Sequence, residues 1–209
     1  KNYWVLFKNW SGFAIASKEL SQRFAMKVIT YFSGAHSGGN PSYVDAAKAV
    51  GNYIGSRKCI TKFGGSRRGL MGAYCASVKE AAIKTGSGAQ IFGYVPKKFI
   101  NINEPEKLGI EFTITETLTE RKQMLLEGAD AFIVMPGGIG TLDEIYETIE
   151  QDYVPADNDP TNSIEYAIRP IFVLNLNYYY DATIEQLEQM EREGFLIPQK
   201  IATLYFYNT

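Results

Sequence analysis

Short β-branched and aromatic runs alternate with helix-period stretches along this chain, and several of the apolar runs stop abruptly at glycines. Residues 27–32 (KVITYF) end at Ser33-Gly34, 59–63 (CITKF) at Gly64-Gly65, and 130–135 (DAFIVM) at Pro136-Gly137-Gly138. Two further runs, 90–95 and 170–175, have the same buried-strand character, and 110–115 alternates apolar and polar residues as a strand does. Between them, Tyr43, Ala46, Ala47, Val50 and Ile54 recur at helical spacing behind Pro41, which suits a first helical turn. Residues 69–84, 118–128, 140–152 and 181–193 read as further helices, and 101–109 and 153–169 as loops. Strands separated by helices require right-handed crossovers, so the expected class is α/β: a Rossmann-like, doubly wound parallel sheet with helices on both faces. Ligands of such sheets bind at the carboxyl ends of the strands, where these glycines fall.

The bulk properties narrow the function. With 21 basic and 23 acidic residues, and a formal charge of −2, the chain has no general pull toward nucleic acid. No apolar run approaches the roughly 18 residues of a membrane span. A cytoplasmic protein with neither nucleic-acid nor membrane partners is expected. Cys59 and Cys75 lack metal-site spacing and read as reduced and structural, and His36 is the only histidine. Residues 1–25 precede the first strand pattern and read as an extension of unknown role. Residues 26–209 are expected to form a single domain.

The segment from Val134 to Glu144 (VMPGGIGTLDE) is a strand, a glycine turn and a helix start. Glycines there let the backbone approach a ligand closely, and the first amides of a helix are unpaired and sit at the positive end of its dipole. That is a phosphate cradle, to which Thr141 can add a hydroxyl. It is neither a Walker A loop nor G-x-G-x-x-G. Glu144 has two readings open at this point: a carboxylate pointed into the crevice, or the acid of a capping box with Thr141. The junction from Phe63 to Gly72 (FGGSRRGLMG) could hold a second part of a nucleotide or could be a tight turn. Arg121 and Lys122 are adjacent, so on a helix they diverge by about 100°. One can reach a phosphate while the other faces solvent. The loop Ser33 to Asn40 (SGAHSGGN) can wrap a ribose or base, with His36 read as a surface residue.

Together these segments resemble the Lonely Guy family of cytokinin riboside 5′-monophosphate phosphoribohydrolases, long labelled as lysine decarboxylases. The family's P-G-G-x-G-T-x-x-E pattern stands here as Pro136 to Glu144, its R-K pair as Arg121-Lys122, and its G-G-x-x-x-G-L-M-G stretch as Gly64 to Gly72. Its S-G and P-x-Y elements stand as Ser33-Gly34 and Pro41-Ser42-Tyr43. Leu174-Asn175 and Tyr178-Tyr179-Tyr180-Asp181 are similar to its C-terminal strand and helix. The resemblance covers about residues 27–198. It implies a homodimer that hydrolyses a nucleoside 5′-monophosphate, AMP or a cytokinin nucleotide, to free base and ribose 5-phosphate, without metal or organic cofactor. It also implies Glu144 and Arg121 as the catalytic pair. Ser33, Gly34, Gly64, Gly65, Met71, Lys122, Pro136, Gly137, Gly138, Ile139, Gly140 and Thr141 are implied as substrate contacts. The family's substrate-contacting glutamate before the R-K pair has two candidates, Glu104 and Glu106.

Three other readings remain beside it, one of them a broader purine or pyrimidine monophosphate nucleosidase that differs only in the base accepted. Lysine decarboxylation needs a pyridoxal phosphate Schiff base, and no lysine stands in a recognisable cofactor context. A carrier that holds a nucleotide or molybdenum cofactor without cleaving it would share the fold and the glycine architecture. Retention of both Arg121 and Glu144 favours the hydrolase.

Overall fold

The computed structural model describes residues 27–152, 169–196 and 198–208. The expected extension at 1–25 and nearly all of the expected loop at 153–169 lie outside the described residues. Seven strands form one sheet: β1 (Val28–Phe32), β2 (Ile60–Phe63), β3 (Gln90–Pro96), β4 (Glu111–Thr115), β5 (Ala131–Val134), β6 (Ile171–Asn175) and β7 (Leu204–Asn208). Every adjacent pair is parallel, in the order β4-β3-β2-β1-β5-β6-β7. The chain therefore builds outward from β1 to one edge, returns to the centre at β5, and builds outward to the other edge. The turn in direction falls between β1 and β5, paired from Ile29↔Ala131 to Phe32↔Val134. Loops leaving those two strands diverge and open a crevice, the switch point at which such sheets bind ligands.

The helices are α1 (Ser42–Gly55), α2 (Gly69–Thr85), the short α3 (Ile100–Asn103), α4 (Leu118–Leu126), α5 (Ile139–Asp152), α6 (Asp181–Arg192) and the short α7 (Pro198–Ile201). They cover both faces. On one side α1 and α2 pack Val50, Ile54, Tyr74 and Val78 against Ile29, Tyr31 and Phe63. On the other, α4, α5 and α6 pack Leu125, Ile145, Ile149 and Leu187 against Phe132, Val134 and Val173. All four residues of β5 are buried, which is why it reads as a continuous apolar run rather than an alternating one. Gly55 lets α1 lie tightly on α2: a Cβ there would stand 2.3 Å from the Val78 carbonyl oxygen. Cys59 and Cys75 are free and buried, and burial pushes both thiols up to about 11, so neither is a nucleophile near neutral pH.

Several shorter elements were not foreseen, among them α7 and β7. The strand β7 extends the sheet beyond β6 and buries Leu204 and Phe206. The expected loop at 101–109 contains most of α3 and a 3₁₀ turn, Pro105–Leu108.

Candidate active site

A cleft of about 440 Å³ opens at the switch point, a size that suits a nucleotide-sized ligand. The loop after β1 supplies Ser33, Gly34 and His36, and the turn after β5 supplies Pro136, Gly137 and Gly138. Leu70 and Met71 come from α2, Arg121 from α4, Gly140, Thr141 and Glu144 from α5, and Tyr43 and Tyr179 close the sides.

The turn after β5 is built to present donors. Its four successive carbonyls all accept hydrogen bonds from the protein. Met135 O accepts from the Tyr180 hydroxyl (2.7 Å), Pro136 O from Gly34 N (3.1 Å), Gly137 O from the Tyr179 hydroxyl (2.5 Å), and Gly138 O from Thr141 N (3.0 Å) and Leu142 N (3.2 Å). The amides of Gly137, Gly138, Ile139 and Gly140 donate to no acceptor among the described residues. Four amides in sequence at the start of a fourteen-residue helix make an anion-binding nest, reinforced by the helix dipole. Glycine is required at position 137, where a Cβ would stand 2.1 Å from Thr141 Oγ1.

One turn further along α5, Glu144 is 5% exposed and meets Arg121, with Arg121 Nη2 2.9 Å from Glu144 Oε1. The helix begins at Ile139, so Glu144 is too deep in it to be the acid of a capping box with Thr141, and its partner is an arginine from another helix. Burial raises the Glu144 carboxyl above its usual range, with Arg121 opposing that shift. A carboxylate so placed is a stronger base than an exposed one.

Arg121 is aimed by its own local structure. Thr117 caps α4 by accepting from Glu120 N (3.0 Å), and Glu120 reaches back to accept from Glu116 N (2.8 Å). This fixes where α4 starts and which residue faces the cleft. Arg121 Nε then donates to Tyr94 O at 3.2 Å. Gly64 completes the seat, since a Cβ there would stand 2.3 Å from Arg121 Nη2 and 3.0 Å from Met71 Sδ.

The structure brings Ser33, Gly34, Met71, Arg121, Pro136, Gly137, Gly138, Gly140, Thr141 and Glu144 together, and leaves four of the expected contacts off the cleft wall. Gly64 and Gly65 stand behind it: the first makes room for Arg121, and the second packs against Val95. Lys122 diverges from Arg121 as helix geometry demands, and its ammonium pairs with Asp143 (3.2 Å) and Glu147 (3.0 Å). The Ile139 side chain projects outward and is 82% exposed, so only its backbone serves the turn. Neither glutamate candidate reaches the cleft. Glu104 is held in ion pairs with Arg67 and Lys107, and Glu106 is exposed. The hydroxyls of Tyr179 and Tyr180 meet the turn after β5, a placement that the sequence reading did not assign: the run at 178–180 gives no indication of what its rings touch.

A parallel sheet with a nest of amides at its switch point, and a buried acid–arginine pair beside it, defines a Rossmann-like α/β protein with a site suited to a phosphorylated ligand. A family model described as "Possible lysine decarboxylase" matches residues 71–209, and the chain belongs to that family. It is 32% identical over 173 residues to the cytokinin riboside 5′-monophosphate phosphoribohydrolase of Rhodococcoides fascians, covering 82% of this chain and 79% of that protein. It is 30% identical to the enzyme of that name, LOG7, of Arabidopsis thaliana, covering 87% and 75% of the two chains. Among solved structures it is similar to the molybdenum cofactor carrier protein of Chlamydomonas reinhardtii (TM-score 0.60, 14% identity, 87% and 89% covered). It is also similar to the molybdenum cofactor binding protein of Rippkaea orientalis (TM-score 0.59, 16% identity, 87% and 88% covered). At those identities the likeness is one of fold.

Proposed function

We propose that this protein hydrolyses the N-glycosidic bond of a nucleoside 5′-monophosphate, releasing the free base and ribose 5-phosphate. The observation that carries the reading is the adjacency of two features in one cleft: the amide nest at 137–140 and the buried Arg121–Glu144 pair. The relatives that share most of the chain are named for this reaction on cytokinin riboside monophosphates.

The amides of 137–140 and the Thr141 hydroxyl bind the 5′-phosphate, so that binding energy at a remote group positions the ribose over Glu144. Cleavage of the bond between C1′ and the base builds positive charge on the ribosyl carbon and ring oxygen, as in glycoside hydrolysis. The Glu144 carboxylate stabilises that charge and takes a proton from the attacking water. The oxygen of that water bonds to C1′, the C1′–nitrogen bond breaks with its electron pair on the base, and the base takes up the proton that Glu144 received, which restores the carboxylate. Arg121 holds the carboxylate in place and opposes the rise in its pKa that burial causes. A carrier that binds without cleaving has only likeness of fold in its favour and gives no use to a buried Arg–Glu pair.

The family resemblance adds a homodimer, with AMP or a cytokinin nucleotide as substrate; analytical ultracentrifugation checks the assembly. The decisive experiment is chromatography of the protein incubated with AMP, an isoprenoid-modified AMP, CMP and adenosine. Free base and ribose 5-phosphate from a monophosphate, with adenosine untouched, is the expected result. Nucleotide binding without release of any base would refute hydrolysis.

A further inference from the structure

Two adjacent tyrosines reach from the segment after β6, the strand next to β5, onto the turn that forms the anion nest. We infer that Tyr179 is a positioning residue for phosphate recognition, acting through the carbonyl of Gly137, with Tyr180 anchoring the start of the same turn at the Met135 carbonyl. The inference rests on the proposed reading of the nest as the 5′-phosphate site.

The geometry begins at the end of β6. Asn175 is fully buried, donates from Nδ2 to Asp181 Oδ1 (2.8 Å) and Asn208 Oδ1 (2.7 Å), and accepts at Oδ1 from Tyr180 N (2.6 Å). Asn177 and Tyr178 then take left-handed backbone angles, φ 52° and 60°, which are costly for a tyrosine. Asn177 Nδ2 ties this bend to Ser42 Oγ at 2.9 Å. The bend delivers both following rings to the turn after β5. Their centroids lie 5.0 Å apart at 85°, and Tyr43 meets Tyr179 edge-on at 5.9 Å. Tyr180 is 1% exposed, whereas Tyr179 is 43% exposed and lines the cleft.

Each hydroxyl meets a separate need. The last bond between β1 and β5 runs from Met135 N to Phe32 O, and the Met135 carbonyl, at the sheet's end, accepts from Tyr180 instead. A trans peptide fixes C=O and the next N–H in opposite directions, and none of the described peptides is cis. Holding Gly137 O on the Tyr179 hydroxyl therefore holds the Gly138 N–H in one direction. A Gly-Gly turn without that contact samples many orientations, and its amides would have to be ordered at the moment of binding. Donors set in advance bind an anion without that cost.

The test uses hydroxyl deletion, read by a ligand that needs no turnover. Wild type, Tyr179→Phe, Tyr180→Phe and Tyr74→Phe are titrated with ribose 5-phosphate and inorganic phosphate by calorimetry, and assayed with AMP. Tyr74 is a buried tyrosine on the opposite face whose hydroxyl meets Thr61 Oγ1 at 2.7 Å, so its variant reports a general loss of a core hydrogen bond. The expected result is ribose 5-phosphate affinity weakened about 3- to 10-fold in Tyr179→Phe. KM rises by a similar factor and kcat changes less than KM. Tyr180→Phe, which frees no nest amide directly, lowers Tm with a smaller loss of ribose 5-phosphate affinity than Tyr179→Phe, and Tyr74→Phe lowers Tm alone. Wild-type affinity for ribose 5-phosphate in Tyr179→Phe would overturn the inference, as would an equal loss in Tyr74→Phe. Weakened ribose 5-phosphate binding with no cleavage of AMP by wild type would leave the positioning role standing and remove the hydrolase reading instead.

Discussion

Arg121 Nη2 stands 2.9 Å from Glu144 Oε1, and the two side chains belong to helices on either side of β5 in the chain. Both are largely withdrawn from solvent, at 12% and 6% side-chain exposure. A paired charge in such a place is tolerated, whereas an unpaired one is strongly destabilising.

If Glu144 is the base, Glu144→Gln keeps the shape and loses the function. Turnover of AMP should fall by about 10²- to 10⁴-fold, while calorimetry with ribose 5-phosphate shows affinity close to wild type. Near-normal turnover would remove Glu144 from the chemistry.

Gly64→Ala offers a test of Arg121 that leaves the arginine in the sequence. The added methyl collides with the guanidinium, the movable end of a long side chain, so the fold survives and the arginine shifts. The expected outcome is kcat/KM lowered by about 10- to 100-fold, as misplacement of a catalytic group does, with Tm close to wild type. A variant of full activity would show that the position of Arg121 does not matter.

The pH dependence follows from burial. Glu144 must be ionised to act as a base, and burial raises its pKa while Arg121 lowers it. The acid limb of kcat/KM should therefore lie above the ordinary carboxylate range, and in Arg121→Ala the residual activity should show it at still higher pH. Stability carries the opposite sign. A carboxyl whose folded pKa is raised holds its proton more tightly when folded, so its contribution is present at low pH and is lost as pH rises through the folded value. The Tm of wild type relative to Glu144→Gln should decline across that window. A difference independent of pH would contradict the raised value.

Lys122 separates a ligand contact from a structural one. Its ammonium is engaged by Asp143 and Glu147 of α5, and it does not line the cleft. Lys122→Met should leave KM for AMP within about twofold and lower stability by about 1 kcal/mol or less, the range for a partly exposed ion pair. A tenfold rise in KM would place Lys122 on the substrate.

Much of this was legible in the sequence because it is local. A buried strand such as 131–134 needs a continuous apolar run, and a strand-to-helix turn that must expose its amides needs glycines, so both are written in consecutive residues. The P-G-G turn and its helix could be read as an anion site from that alone. The second glycine pair was less legible for the same reason. Gly64 and Gly65 have the look of a ligand loop, but the groups they avoid are Arg121 and Val95, far away in the chain.

What the sequence determined by itself was the alternation of strands and helices, the parallel sheet that follows from it, and the turn able to bind an anion. Only the tertiary structure decided which of Arg121 and Lys122 faces the cleft, whether Glu144 caps its helix or meets a partner, and where the tyrosines at 179 and 180 point. Those outcomes depend on the return of β5 beside β1, which brings α4, α5 and the segment after β6 around one crevice. Contacts across such a crossover join residues with no fixed spacing between them, and no periodicity in the chain encodes them.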